Sequence, residues 1–408
     1  MIQEWKPDLL DKLYAFSLCI LVYAVAEVSW LYPVPRPLLY FLVSGLAIIK
    51  MMKNGISVNV KKFFWIFGWI LFNMMNIITH HSSLDSFFHR IILTFIIMSV
   101  LFLTVDEMKY LLKALTVCFV VILIVSIPAW ILYLLGFPLP YTGPHYHPNG
   151  YHIYYDYLFF TADARVYSTD YNRFSSVFLE PGQMATPCLF LFHLNTRDGK
   201  LFRFKNVVLL VGIVMSYSLV GYILLIVSLM VNQLQRSKYR FPMVVMMLLV
   251  LGGLSMYFAS HEDNAINELI VSRLEYDEET VISGYNRTSE DFDIHYNNFV
   301  GTSNIYFGIH NGDDLSWTKY ASGYKKYIVH NGIVGLSMLI LLIFMLLWDN
   351  NNRSALIFII IVIAAFFVRD LLTSPLWLTI TIIGIYILGK EKGQSTIPKL
   401  EPVIEVVK

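Results

Sequence analysis

Long apolar runs separated by short polar connections recur along almost the whole chain. They lie near 12–31, 37–52, 63–79, 91–104, 114–136, 182–195, 207–232, 241–259, 332–348, 354–372 and 375–389. A bilayer core takes roughly 20 apolar residues of helix per crossing. Backbone polar groups inside lipid must bond within their own segment, so these runs are expected to be helices. Two stretches break the pattern, residues 137–181 and 260–331. Both are polar and dense in aromatic residues.

Composition strengthens this reading. Apolar residues make up 57% of the 408 and charged residues 14%. Soluble domains carry about 25% charged residues. Mean hydropathy is +0.60. A net charge of +1 argues against a nucleic-acid partner. Cys19, Cys118 and Cys188 all fall inside apolar runs, which suits neither a disulfide framework nor a metal site. The start, MIQEWKPDLLDK, is polar and acidic and enters a full-length apolar run. That reads as a self-inserting first span rather than a cleavable signal.

Lysine and arginine orient the spans. The connections 53–62, 106–113, 196–206 and 235–240 are short and basic and are assigned to the cytoplasm. Residues 80–90, 137–181 and 260–331 then lie outside. The run 207–232 is flanked by basic connections on both sides. A hairpin turning near Ser216, Ser218 and Gly221 keeps both flanks inside, and one long tilted helix is the alternative. With the hairpin, the fold class is an all-α polytopic membrane protein. It has about twelve transmembrane helices, two large outer loops and both termini cytoplasmic.

The expected organisation has N-terminal membrane helices over 1–136, a first outer loop over 137–181 and central helices over 182–259. A second outer loop over 260–331, C-terminal helices over 332–389 and a cytoplasmic tail over 390–408 complete it. The loops are too long to be plain connections and too hydrophobic to be disordered. Aromatic rings among Asn, Asp, His and Arg suit sugar binding, since a ring packs on the C–H face of a sugar. An interfacial aromatic belt is the plainer explanation of tyrosines at span ends.

No P-loop, dinucleotide fingerprint or metalloprotease motif is present, and no internal repeat is evident. His145, His147 and His152 are close in sequence, but proline and glycine interrupt them. In Arg173–Ala185, RFSSVFLEPGQMA, Pro181 is expected to open a helix, with Glu180 just before it at the positive end of the helix dipole. Arg173 would share a face with Glu180 if the intervening residues were helical. A capped helix end with a surface ion pair is the alternative. His330 and Asn331 stand where the second loop enters the membrane, and a histidine there can exchange a proton near neutral pH. Arg273 and Arg287 are candidate phosphate ligands in the second loop, Arg287 being less crowded by acids. Arg369 and Asp370, near the outer end of an apolar run, are expected to pair with each other.

Taken in order, these motifs resemble those of the O-antigen and exopolysaccharide polymerase (Wzy-type) family and its relative, the O-antigen ligase. The resemblance rests on Arg173, Ser176, Phe178, Glu180 and Pro181, with Ser176 where glycine is common. It rests also on Ser283, Gly284, Arg287, Phe307 and Gly308, and on His330 and Asn331 with Gly335 a turn later. The family's hairpin usually carries Ser-Arg-x-Gly; here Ser218–Gly221 reads SLVG, with Leu219 in the arginine's place.

The resemblance implies a glycosyltransferase of the bacterial cytoplasmic membrane, working at its outer face. The donor would be an oligosaccharide on undecaprenyl diphosphate and the acceptor a sugar hydroxyl on a second lipid-linked unit. No cofactor, metal or nucleotide sugar is implied. Arg173 and Arg287 would hold the diphosphate and Glu180 would orient the acceptor or the arginine. His330 would be the base, or Glu180 in the reversed assignment. Membrane lipid, a chain-length regulator and a flippase are the implied partners. The alternatives are a ligase that passes the finished chain to lipid A core, a lipid-linked oligosaccharide transporter, and a sensor or assembly protein.

Overall fold

The computed structural model describes residues 5–26, 36–56, 58–79, 84–146, 153–163, 173–197, 201–234, 290–309, 316–321, 323–348, 352–369 and 373–390. The apolar run 241–259, most of the second loop with Arg273 and Arg287, Asp370 and the tail beyond 390 lie outside them. The described chain is mostly helical. Helices α1 (Leu9–Ala26), α2 (Arg36–Asn54), α3 (Val60–Thr79), α4 (Leu84–Leu101) and α5 (Val105–Leu134) come first. Next come β1 (Tyr141–Tyr146), β2 (Ile153–Tyr157) and β3 (Thr161–Asp163), then α6 (Pro181–Thr196), α7 (Phe204–Met215) and α8 (Leu219–Leu234). After these stand α9 (Glu290–Val300), the single turn α10 (Asn304–Phe307), α11 (Tyr324–Met345), α12 (Arg353–Val368) and α13 (Pro375–Lys390).

The all-α expectation therefore needs one correction. The first loop builds an antiparallel sheet in the order β1–β2–β3, with Tyr141 opposite Tyr157 and Tyr155 opposite Ala162. Strand β2 reads IYYDY, and isoleucine and tyrosine favour a pleated surface over a helix.

Local chemistry sets the helix ends. Thr104 caps α5 by accepting from Glu107 N, and the Glu107 carboxylate accepts from Thr104 N at 2.7 Å, a reciprocal capping box. Pro181 stands at the first position of α6, with Glu180 extended before it. The run 207–232 is broken at Ser216–Ser218 into α7 and α8, Tyr217 taking a positive φ of 45°. Ser216 Oγ accepts from Ser218 N and Ser218 Oγ from Gly221 N, so the turn satisfies its own backbone. Contacts give the direction of the pair. A Cβ on Gly221 would meet Ala185, His193 meets Ser228, and Asn232 meets Thr196, so α8 runs parallel to α6. The turn thus lies at the end of the bundle where α6 begins, and both flanks of the pair lie at the other end.

The core sits around α13, where every side chain from Pro375 to Leu388 is buried. A helix apolar on all sides belongs in the interior, and α13 packs against α1, α4, α5, α6 and α12. On the flank, α3 runs antiparallel to α11. Trp65 Nε1 donates to Leu342 O at 2.8 Å, and Gly68 and Gly335 let Leu342 and Met75 approach.

About twelve spans is more than the described helices support. Two, Val105–Leu134 and Tyr324–Trp348, are long and apolar enough to cross a membrane. Others are apolar over shorter lengths, such as Phe204–Met215 and Pro375–Lys390. At 1.5 Å per residue, a helix of 12 residues rises about 18 Å against a core of about 30 Å. Helices α1 to α4 carry charged residues such as Asp11, Lys50, Lys61 and Arg90 within their length.

Candidate functional site

Residues 173–180 are not helical, so Arg173 and Glu180 do not share a helix face. The segment is an irregular stretch, buried from Phe174 to Leu179, lying between β3, α5 and the α7–α8 turn. Thr161 binds it twice, N donating to Ser176 O at 2.8 Å and Oγ1 to Phe178 O at 2.7 Å. Ser176 has φ 54°, the left-handed region, which is the physical reason glycine suits this position. Here the strain is offset by a 2.8 Å hydrogen bond between the Ser176 and Ser126 hydroxyls. Arg173 Nη2 donates to Tyr217 O at 2.9 Å, and Phe174 N reaches Met215 O. Arg173 therefore braces the hairpin turn, two residues before Leu219.

Glu180 forms a salt bridge with Arg369, not with Arg173. The expected partner of Arg369, Asp370, lies outside the described residues. Gly182 makes the pair possible: a Cβ there would come within 2.3–2.5 Å of the Arg369 guanidinium. The arginine side chain thus lies flat across the first turn of α6. Sequence reasoning singled out both Glu180 and Arg369 but did not join them, because 189 positions separate them.

The end of the second loop is built on two glycines. Helix α11 is broken at Gly332 (φ 69°, ψ 174°), directly after His330 and Asn331. Gly308 (φ 87°, ψ 177°) ends the turn α10. The two breaks lie against each other. A Cβ on Gly308 would meet His330 O at 2.5 Å, one on Gly332 would meet Tyr306 O at 2.1 Å, and Ile309 N donates to Val329 O at 2.9 Å. The Phe307–Gly308 turn and the His330–Asn331 pair, read separately in the sequence, are thereby brought into contact. His330 is half-buried, and Asn331 Nδ2 donates to Tyr327 O at 3.1 Å. Behind them Phe292, Phe299, Ile309, Trp317, Ala321, Ile328 and Val329 form a small separate core, and Lys325 pairs with Asp293 at 2.8 Å.

Helix α12 ties the two halves together. A Cβ on Gly323 would meet the Phe367 and Val368 carbonyl oxygens, and Tyr327 packs edge-on to Phe366 at 5.1 Å. Arg369 thus leaves α12 beside the start of α11. His330 lies seven residues along α11 from Gly323, roughly 10 Å of rise. Glu180, Arg369, Tyr327 and His330 occupy one end of the bundle. The sheet stands at the same end, over a ring cluster of Trp130, Tyr133, Tyr157 and Phe160. Burial, with the neighbouring Tyr133 and Tyr141 phenols, pushes the Tyr157 phenol up to about 12.

Two features escaped the sequence reading. Arg90 stands half-buried on α4. At the opposite end of the bundle, Lys50 is 2% exposed and is held by both Asp11 and Glu107, with Asn54 Nδ2 donating to Glu107 at 3.0 Å. Lys50, a charged residue inside the apolar run 37–52, was the available signal for the second. His145 lies on β1, while His147 and His152 fall outside the described residues. No protein-family model, curated protein or solved structure matches the chain.

Proposed function

We propose that this chain is a multi-pass membrane glycosyltransferase that polymerises undecaprenyl-diphosphate-linked oligosaccharide repeat units. It would act at the outer face of the bacterial cytoplasmic membrane, with both termini in the cytoplasm. The observation that carries the reading is the contact between Gly308 and His330, at the same end as the Glu180–Arg369 pair. Phe307–Gly308 and His330–Asn331, two of the pieces that carry the resemblance, are separate in sequence and in contact in space.

Exposed side chains support a lipid setting. Phe16, Phe41, Phe63, Phe67, Met74 and Ile78 are all more than half exposed or nearly so, on helices otherwise packed together. Water does not tolerate apolar surface spread so widely over adjacent helices.

In this reading His330 takes the proton of the acceptor hydroxyl, being half-buried at the break in α11. Glu180 fixes Arg369, so the acid–proline pair acts by orienting a guanidinium. Arg287 and Arg273, which lie outside the described residues, would supply the fixed positive charge that stabilises the leaving diphosphate. Arg173, which braces the hairpin turn, would also hold the diphosphate, and Asn331 donates to Tyr327 O beside the α11 break. The donor arrives activated, so no cofactor is needed. A flippase supplying the donor and a chain-length regulator are the expected partners.

The test is conversion of purified lipid-linked repeat units by the protein in proteoliposomes. A ladder of longer chains that is lost in His330→Ala supports the proposal. Transfer of a finished chain to lipid A core without elongation would make the chain a ligase, and no transfer at all would refute both.

A lipid-linked oligosaccharide transporter is the second reading. It is favoured by the buried Asp11–Lys50–Glu107 triad, since ionisable groups inside a membrane bundle often serve coupled transport. Transfer of a labelled lipid-linked unit across a liposome membrane by the wild-type protein, without chain elongation, would establish it.

A further inference from the structure

The connection between α6 and α7 joins exposed rings to positive charge at the end of the bundle opposite the site. Residues 196–206 read TRDGKLFRFKN, with Arg197, Lys200, Arg203 and Lys205 against Asp198. The next acid in the sequence is Glu262. Arg203 stands in extended backbone just before α7 and is exposed, and Lys205 is half-exposed. The two phenylalanines that flank Arg203 are open as well, Phe202 at 86% and Phe204 at 68%.

Phe204 also begins a stripe. Phe204, Val207, Val211 and Val214 are spaced by three, four and three residues, so they share one helix face, and all four are exposed. Asn206, Leu209, Gly212 and Ile213 are buried on the other side of α7. An apolar face open along its whole length fits acyl chains. The rings and the two cations therefore stand where that face ends and the polar connection begins. In a bilayer this is the headgroup level, where basic and aromatic side chains gather.

The return helix brings more charge to the same place. Asn232 Nδ2 donates to Thr196 Oγ1 at 3.1 Å, so α8 ends beside the end of α6. The sequence runs on from Leu234 as QRSKYR, three cations and no acid. Asp8, Asp11 and Glu107, acids of the same end, are taken up by Lys53 and Lys50. Charge complementarity asks for an anion here, and the open rings beside the cations ask for one that carries hydrocarbon.

We infer that the α6–α7 connection is a binding surface for anionic phospholipid. Arg203 and Lys205 hold the headgroup, while Phe202 and Phe204 sit among the upper acyl chains. The inference goes beyond the sugar chemistry. It rests on the lipid setting of the helices and on neither proposed activity.

The full chain in dodecyl maltoside is titrated with dioctanoylphosphatidylglycerol or dioctanoylphosphatidylcholine, and binding is read by native mass spectrometry. The wild type prefers the anionic lipid, and the preference shrinks as salt rises. Arg203→Gln with Lys205→Gln weakens binding of the anionic lipid about fivefold for each cation removed, and that of the zwitterionic lipid by less. Phe202→Ser weakens both lipids alike, because the ring meets acyl chain and not headgroup charge. Lys325→Gln, at the other end of the bundle, changes neither. Equal affinity of the wild type for both lipids overturns the inference and leaves the cations to an acidic protein partner. A double variant that keeps the preference overturns it too, as does a Lys325→Gln variant that loses as much. Unchanged affinity for both lipids in Phe202→Ser also counts against it. If the double variant does not fold, Arg203→Gln alone is read in its place, and wild-type affinity there refutes the inference. Sugar transfer in proteoliposomes is measured separately, so the proposed function stands or falls on its own.

Discussion

Replacing Gly332 by alanine probes the geometry that positions His330. A Cβ there would stand 2.1 Å from Tyr306 O and 2.5 Å from Phe307 N. Carbon–oxygen contacts rarely close below roughly 3.3 Å, so the overlap exceeds about 1 Å. Both obstacles are backbone atoms, which cannot rotate away as a side-chain end can. The φ of 69° with ψ of 174° adds about 1–3 kcal/mol for any residue with a Cβ. Relief requires the α10 turn to move off α11. That movement breaks the 2.9 Å bond from Ile309 N to Val329 O, about 1 kcal/mol more. A loss of about 2–4 kcal/mol follows. It should be concentrated in residues 301–309. The assay is denaturant unfolding in detergent together with hydrogen exchange read by mass spectrometry. Gly45→Ala is the control. Its Cβ meets nothing within 4 Å, and helix propensity favours the change by roughly 0.5–1 kcal/mol. If Gly332→Ala costs less than about 1 kcal/mol and leaves exchange at 301–309 unchanged, the two glycine breaks do not lock each other and the reasoning fails.

Glu180→Gln and Arg369→Gln should be coupled by about 1–2 kcal/mol in a double-mutant cycle. The value is below that of a fully buried pair because the Glu180 side chain is 41% exposed; additive effects within about 0.3 kcal/mol would contradict it. Ser176→Gly should be near neutral in the wild type, since relief at φ 54° offsets the lost bond to Ser126. In a Ser126→Ala background it should stabilise by about 1 kcal/mol, and a thermal melt showing destabilisation there would count against a strained Ser176. Lys50→Met leaves two buried carboxylates without their cation and should cost about 3–5 kcal/mol in unfolding measurements. A cost under about 1 kcal/mol would mean the triad contributes little.

The membrane-type hydrophobic pattern, the positions of most helices and the break at 216–218 were legible in the sequence. Each depends on local composition, on turn residues, or on charge balance across short connections. Pro181 and Glu180 announced the start of α6 for the same reason. The sheet in the first loop was not legible, because its strands are short and its register depends on pairing across the loop. About twelve spans is more than the described helices support, since an apolar run does not reveal whether its helix lines the outside or the centre. Helix α13 is apolar all round because other helices enclose it.

The sequence by itself singled out candidate residues at the loop end: Arg173, Glu180, His330, Asn331 and Arg369. Their spacing and type sufficed for that. Only the tertiary structure decided who meets whom. Glu180 was free to pair with Arg173 until Gly182 let the Arg369 guanidinium lie across the α6 turn. His330 was one loop-end histidine until Gly308 and Gly332, each in a conformation that excludes a Cβ, set the α10 turn against it. Such contacts join segments tens to hundreds of positions apart. Their energy comes from close approach in space, which no local pattern encodes.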